Sequence, residues 1–293
     1  MSRYRFIEAE KQHHAVSLLC RVLEVSRAAY YRWKANPVSP RAASNLALLA
    51  KIRKAHADSD GKYGSSRIYA ELQEHGEKAS RGRIARLMAA SCIVGRRGRR
   101  RMRTTIPAKR PAPFADLVER RFRADRPNEL WCGDLTYVHT GEGFLYLASV
   151  IDVFSRRVIG WAIAAHMRAE LVTDALRMAI RNRGGQVHGV VFHSDRGAQY
   201  GAGSFKDFAH SAGVRQSMGR VADCFDNALA ESFFATLKCE LLYEHSWPTK
   251  HEARSAIVHW IEVVYNRRRR HSSLRMLAPI AYEQQHQVQC NAA

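Results

Sequence analysis

Apolar and polar positions alternate with period two over residues 131–138. They crowd together over 143–151 and recur over 157–164, so three successive strands are predicted. The links His139–Gly143 and Asp152–Arg156 are short, which predicts antiparallel neighbours in a three-stranded meander. The period then becomes helical. Over 168–183, Leu171, Val172, Ala175, Leu176, Ala179 and Ile180 fall on one side, and Gly184-Gly185 ends the run. Val187–Asp195 predicts a buried strand that ends on an acid, followed by a loop to Gly201. Ser204 with Asp207 three residues on predicts a boxed helix start, with the helix running to Ala212. Val214–Met218 predicts a fifth strand, Gly219–Asn227 a flexible loop, and Asn227–Lys238 a helix with Glu231 near its start. The order βββαβαβα gives an α/β fold, a mixed five-stranded sheet with helices on its faces. A long helix over 249–264 and the stretch Tyr265–Leu274 follow, and the polar tail 284–293 is expected to be disordered.

The N-terminal part has helical periodicity only. After a charged lead, Ala15–Val25 predicts a helix. Ser26 is placed to cap a second one, Arg27–Lys34, with Arg27, Arg32 and Lys34 on it. Helix, tight turn and basic helix suggest a helix-turn-helix, with a generic helical hairpin as the plainer alternative. Beyond a linker at Pro37–Pro40, helices are predicted over 45–56 and 66–75, the latter stopped by Gly76. Ser80 opens another, Arg81–Ala90, carrying Arg81, Arg83 and Arg86. This is a second helix-turn-helix-like pair. The run Gly95–Arg103, with Arg97, Arg99, Arg100 and Arg101, reads as an extended linker that lies along phosphates or simply as a solvated spacer. The predicted organisation is 1–36 and 37–94 as two helix-turn-helix-like parts, 95–114 as basic linker, 115–283 as catalytic core with a helical extension, and 284–293 as tail.

Charge sharpens this division. Residues 1–125 hold 28 Lys/Arg against 11 Asp/Glu, whereas the remainder holds 19 against 16. A basic surplus confined to one end points to a polyanion, most simply DNA. No run of eighteen apolar residues predicts a membrane span, and the N-terminus lacks an apolar signal core. Six scattered cysteines form no CxxC pair, which argues against a zinc ribbon or a disulfide framework. A cytoplasmic, nucleoid-associated protein is expected.

Asp134 sits inside a strand that apolar neighbours would bury. Taken alone it fits a solvent-facing residue or a turn cap. Asp195 at a strand end and Glu231 on a helix change its meaning. Three carboxylates gathered on one sheet repel one another unless a cation joins them. An all-oxygen set without a His or Cys cluster suits Mg²⁺ or Mn²⁺, and two such ions can serve both the attacking and the leaving oxygen at one phosphorus. Lys238, seven residues after Glu231, shares its helix face and reads as a phosphate contact or as half of a surface pair. His193, Ser194 and Asp195 cannot form a relay, because adjacent strand side chains point to opposite faces. Asp152, at the start of a turn, reads as a cap rather than a fourth ligand.

Several long motifs occur in order: Trp131-x-x-Asp134-Leu-Thr-Tyr, Val150-Ile-Asp-x-x-Ser-Arg, His193-Ser-Asp-Arg-Gly-x-Gln-Tyr200, Asp226-Asn-Ala-x-x-Glu231-Ser-Phe-Phe-x-Thr-Leu-Lys238 and Tyr265-Asn-x-x-Arg-x-His-Ser-Ser-Leu274. With them, nearly the whole chain resembles the OrfB transposases of the IS-three group of bacterial insertion sequences. The resemblance implies an RNase H-like, retroviral-integrase-like core. It implies Asp134, Asp195 and Glu231 as the DDE metal ligands, Lys238 as the basic residue that follows them, and Mg²⁺-dependent strand cleavage and transfer at element ends. It also implies an OrfA partner or an OrfA–OrfB fusion, with a homo-oligomer working on DNA. Gly219 after Met218, Phe225 before Asp226, and Leu229 after Ala228 depart from the group's pattern, in and beside the loop before the Glu231 helix. A catalytically inactive DNA-binding remnant and an RNase H-type nuclease are the alternatives.

Overall fold

The computed structural model describes residues 2–35, 39–96, 114–118, 121–219 and 228–292. They fall into two compact units, Met1–Gly95 and Arg96–Ala293. The basic linker residues Arg97, Arg99, Arg100 and Arg101, and most of the loop before Glu231, lie outside the described residues.

The first unit is helical, with α1 (Arg3–Glu10), α2 (Val16–Val22), α3 (Arg27–Ala35), α4 (Pro40–Asp58), α5 (Ser65–Glu74) and α6 (Arg81–Ala90). Serine hydroxyls start four of them. Ser2, Ser26, Ser39 and Ser80 accept the N–H of Arg5, Ala29, Ala42 and Arg83, satisfying donors that a helix leaves open at its N-terminus. The charged lead is itself helix α1. It is held by buried Ile7, by Tyr4 stacked on Trp33 at 5.7 Å, and by Glu8 accepting from the Tyr30 hydroxyl. α4 begins earlier than the pattern suggested, because Pro40 occupies the first helical turn, where its missing N–H costs nothing.

In the second unit, β1 (Leu130–Thr140), β2 (Gly143–Asp152), β3 (Val158–Ala164), β4 (Val191–Ser194) and β5 (Arg215–Met218) form one sheet ordered β3-β2-β1-β4-β5. β1, β2 and β3 are antiparallel, while β4 and β5 run parallel to β1. This is the mixed RNase H-like sheet, and alternation along each strand gives it two buried faces. One face packs α7 (Ala169–Asn182) and α8 (Gly203–Ser211) around Trp131, Leu176, Phe192 and Phe205. The other packs α9 (Ala228–Leu237) and α10 (Lys250–His259) around Cys132, Leu147, Phe233, Ile257 and Trp260.

In the second unit several boundaries differ from the pattern. The strand predicted over 187–195 is a regular strand only over Val191–Ser194, because Gly189 turns the chain with φ +75°. α8 starts at Gly203 without a side-chain cap, so Ser204 and Asp207 form no capping box. The helices carrying Glu231 and Trp260 both pass into π-helical turns, at Lys238–Leu242 and Trp260–Arg268. Finally, 284–292 is not disordered. It belongs to α11 (Pro279–Ala292), which is fixed at its start by Tyr282 packed on Phe154 and by Glu283 bonded to Ser155, Arg157 and Arg183. Side-chain contacts with residues more than a hundred positions away leave no trace in local hydropathy.

Candidate active site

Strand register determines where the first two acids stand. β1 and β4 pair in parallel, with Leu130 opposite Val191, Cys132 opposite His193 and Gly133 opposite Ser194. The pairing ends there: Asp134 is the next residue of β1 and Asp195 the first residue beyond β4, so their backbones leave adjacent positions of neighbouring strands, which typically lie about 4.8 Å apart. Asp134 has the parity of Leu130, Cys132 and Val138, whose side chains enter the α9–α10 core. Continuing the alternation one residue past the end of β4 puts the Asp195 carboxylate on that face, in agreement with its charge acting on Asp134. α9 packs there through Leu229, Ala230, Phe233, Phe234 and Leu237, and it carries Glu231 in its first turn.

Gly133 leaves room for the Phe192 ring of β4 to lie across β1. A Cβ there would lie 2.2 Å from Phe192 Cζ, inside the ring's van der Waals surface. The Asp134 carboxylate accepts its neighbour's N–H, Leu135 N to Oδ1, at 2.7 Å. Asp195 Oδ1 accepts from Gly197 N at 3.0 Å.

The electrostatics follow from this crowding. Burial first, then the charge of Asp195 and more weakly that of Glu231, push the Asp134 carboxyl up to about 7; the Leu135 N–H and the Lys238 ammonium pull the other way. Asp195 keeps solvent access beyond the end of β4, yet the protein packed around it also raises its carboxyl. Tyr200 is completely enclosed, and burial with the charges of Asp134 and Asp195 raises its phenol well above the ordinary value. Tyr200 therefore remains a protonated hydroxyl beside the acids. Its place in the His193–Tyr200 motif was the signal that would have found it.

Among the described residues, no three His, Cys, Asp or Glu side chains are drawn together tightly enough to make a ready metal cage. Asp134, Asp195 and Glu231 are near enough for the charges of the last two to act on the first, and carboxylate oxygens are donors of the type Mg²⁺ or Mn²⁺ takes, a cation that would relieve their conflict.

The other polar residues have structural partners. His193 Nδ1 is 2.9 Å from Ser217 Oγ, which also accepts from Leu117 N, and Ser194 donates to the Asp195 carbonyl, so no Ser/His/Asp relay exists. Asp152 is fully buried. It accepts from Phe154 N and Asn128 N and pairs with Arg183 at 2.9 Å, which makes it a turn cap and an ion-pair partner. Lys238 lies over the Tyr137 ring, 6.0 Å from its centroid, and its charge reaches Asp134.

Comparison with known proteins is decisive about family. Residues 124–224 and 212–279 match models described as Integrase core domain, and residues 43–101 match one described as HTH-like domain. The chain is 38% identical over 272 residues to the Insertion element IS600 uncharacterized 31 kDa protein of Shigella sonnei, covering 92% of this chain and 99% of that protein. It is 34% identical over 283 residues to Transposase InsF for insertion sequence IS3A of Escherichia coli (strain K12), covering 96% and 98%. The chain belongs to this family of insertion-sequence transposases. A looser overlay exists with the HTLV-2 integrase catalytic core domain in complex with magnesium. It has TM-score 0.41 and 18% identity, over 55% of this chain and 99% of that one.

In the transposase's helical unit, the basic residues singled out from the sequence divide into two kinds. Arg27 and Arg32 on α3, and Arg81 and Arg86 on α6, are exposed. Arg83 is tied down: its Nε and Nη2 donate to Asn45 Oδ1 at 2.9 and 2.7 Å, and Nη2 also donates to Ser44 Oγ at 2.8 Å. Its guanidinium fastens α6 to α4. Among the described residues, no helix is long and apolar enough to cross a membrane.

Proposed function

We propose that this transposase is the catalytic subunit that cuts DNA strands at the ends of its insertion sequence and joins them to target DNA. What supports this is that Asp134 and Asp195 directly follow the last paired residues of β1 and β4, with Glu231 on the helix packed against the same face of β1 and its charge, like that of Asp195, acting on Asp134. In this reading the three carboxylates hold Mg²⁺ or Mn²⁺, two ions in all. When bound, the metal supplies Lewis-acid polarisation of the phosphodiester. The chain's own residues do the rest by placement. Asp134, whose carboxyl hovers near neutrality without a cation, is kept in line by the Leu135 N–H. Gly197 N–H orients Asp195. Lys238 meets a phosphate oxygen beside the acids, and Tyr200 buttresses them as a neutral hydroxyl.

The exposed Arg27, Arg32, Arg81 and Arg86, with the basic run Arg97 to Arg101, bind the DNA backbone ahead of the core. An OrfA partner or OrfA–OrfB fusion, and assembly of several copies on DNA in the nucleoid, complete the proposal. It is tested by metal-dependent nicking of a duplex carrying the DNA that flanks this reading frame. Asp195→Asn should cut roughly 10²–10³-fold more slowly, the scale on which loss of one preorganised electrostatic group is felt. Equal cutting by both proteins would refute the site.

A further inference from the structure

A cavity lies further along β1 from Asp134, with Lys238 of the segment that follows the Glu231 helix in its wall. Tyr137, His139, Lys238, Tyr243, His245 and Trp247 surround this cavity of about 540 Å³, between the β1–β2 hairpin and the chain that leads into α10. Its walls are fixed. Gly141 N donates to the Trp247 carbonyl at 2.8 Å, and Lys250 N donates to Glu142 Oε2 at 2.8 Å. A Cβ on Gly141 would sit 2.6 Å from the Pro248 carbonyl oxygen, so the hairpin meets this segment backbone to backbone.

The rings around the cavity are unusually open. Tyr137 is 61% exposed, Tyr243 72% and Phe144, just behind Tyr137, 48%. Tyr137 and His139 each meet Phe144 edge-on at 5.5 Å, and His245 meets Trp247 edge-on at 5.5 Å, so the aromatics are preset rather than loose. None of the lining residues is acidic.

We infer that this cavity takes a single unpaired nucleotide of the DNA strand, its base stacked on Tyr137 or Tyr243 and its phosphate met by Lys238. The chemistry selects this occupant. Exposed aromatic side chains beside one ammonium group suit a planar base attached to an anion. A base inside a duplex is already stacked on both sides and cannot offer its face, whereas an unpaired one can. A cavity of this size lies in the range that holds one small ligand. Lys238 joins the two places, because its charge also reaches Asp134. An unpaired nucleotide held here fixes the strand next to the scissile phosphate. The inference rests on the transposase reading above.

The test is binding by the full-length protein, in EDTA so that no chemistry occurs. Two fluorescein-labelled probes are used: a twenty-residue oligothymidine and a blunt twenty-base-pair duplex. Tyr137→Ala and Tyr243→Ala together should weaken oligothymidine binding five-fold or more, the scale of losing one stacked base. Duplex binding should change less than two-fold. Tyr137→Trp should keep the single-strand affinity. Equal losses on both probes, or no loss on either, would overturn the nucleotide site. Wild-type protein that binds neither probe would overturn the site together with the DNA reading. A protein that passes this test but fails to nick would leave the site standing and refute the catalytic proposal alone.

Discussion

Gly133 is a residue whose importance lies in what it lacks. Phe192 fills the space beneath it, and that ring is itself wedged against Tyr200 and Phe205 at 5.9 and 5.7 Å. A methyl group there has to displace a fully buried ring or force β1 from β4, and the pairing of β1 with β4 is what brings Asp134 beside Asp195. Gly133→Ala should therefore destabilise by about 1–3 kcal/mol, the usual cost of overpacking a dense interior. Urea denaturation measures it, and an unchanged midpoint would show that the ring has room to move. Phe192→Leu in the same chain should cost less than the two single changes added, because it vacates the space the methyl needs. At this scale the sequence was informative about the acids and silent about their surroundings. Asp134, Asp195 and Glu231 stand out as charges in apolar company. Gly133 looks like any strand glycine until Phe192 is placed under it. Arg83 was grouped with Arg81 and Arg86 by spacing alone, and only the fold brings Asn45 and Ser44 to its guanidinium.

Among the elements, the stretch Tyr265–Leu274 joins the end of the core back to the Glu231 helix. Asn266 grips both backbone groups of Val158, accepting its N–H at 3.0 Å and donating to its carbonyl at 2.9 Å, which satisfies the outer side of edge strand β3. Arg269 reaches Glu240, with Nε 3.0 Å from both carboxylate oxygens and Nη2 2.9 Å from one. Both side chains are buried. Glu240 lies in the π-helical turn that begins with Lys238, so this pair fastens the end of the Glu231 helix. Breaking a buried pair on one side leaves an uncompensated charge, and Arg269→Ala should cost about 3–5 kcal/mol. Replacing both partners, Arg269→Met with Glu240→Leu, should recover most of that loss. If the double variant is as unstable as the single one in guanidinium melts, the pair is not what holds the turn. The periodicity of 249–264 predicted a helix correctly in place, but nothing in it distinguishes α from π turns. That distinction depends on where Trp260 and Tyr265 must pack against Phe233, at 6.0 and 5.0 Å.

For the molecule as a whole, the C-terminal helix is the case where long-range charge overrides local pattern. The polar composition of 284–292 reads as a tail, yet Glu283 at the head of that stretch closes a network with Ser155, Arg157 and Arg183, and Arg183 also holds Asp152. The network ties together the β2–β3 turn, the end of α7 and α11. Despite burial, hydrogen bonds and the charge of Arg183 hold the Glu283 carboxyl below the ordinary range. A carboxylate with a lowered folded value contributes stability that is present above its unfolded value, near 4.3, and is lost as pH falls through the lower folded one. Asp152 has the opposite sign: burial raises it, so its contribution fades as pH rises through its raised folded value. Because Asp152 remains in both proteins, comparing wild type with Glu283→Gln largely isolates the Glu283 term. The variant should be less stable by about 3 kcal/mol at pH 7, the low end for a broken buried pair because Arg183 keeps one carboxylate partner. The gap should narrow as pH falls from the unfolded value near 4.3, where the unfolded chain takes up the proton, down through the lower folded one. Urea melts of the two proteins from pH 7 to pH 3 measure the gap directly. A gap that stays constant across that range would mean that Glu283 acts through packing alone, and that the charge network does not hold α11 to the core.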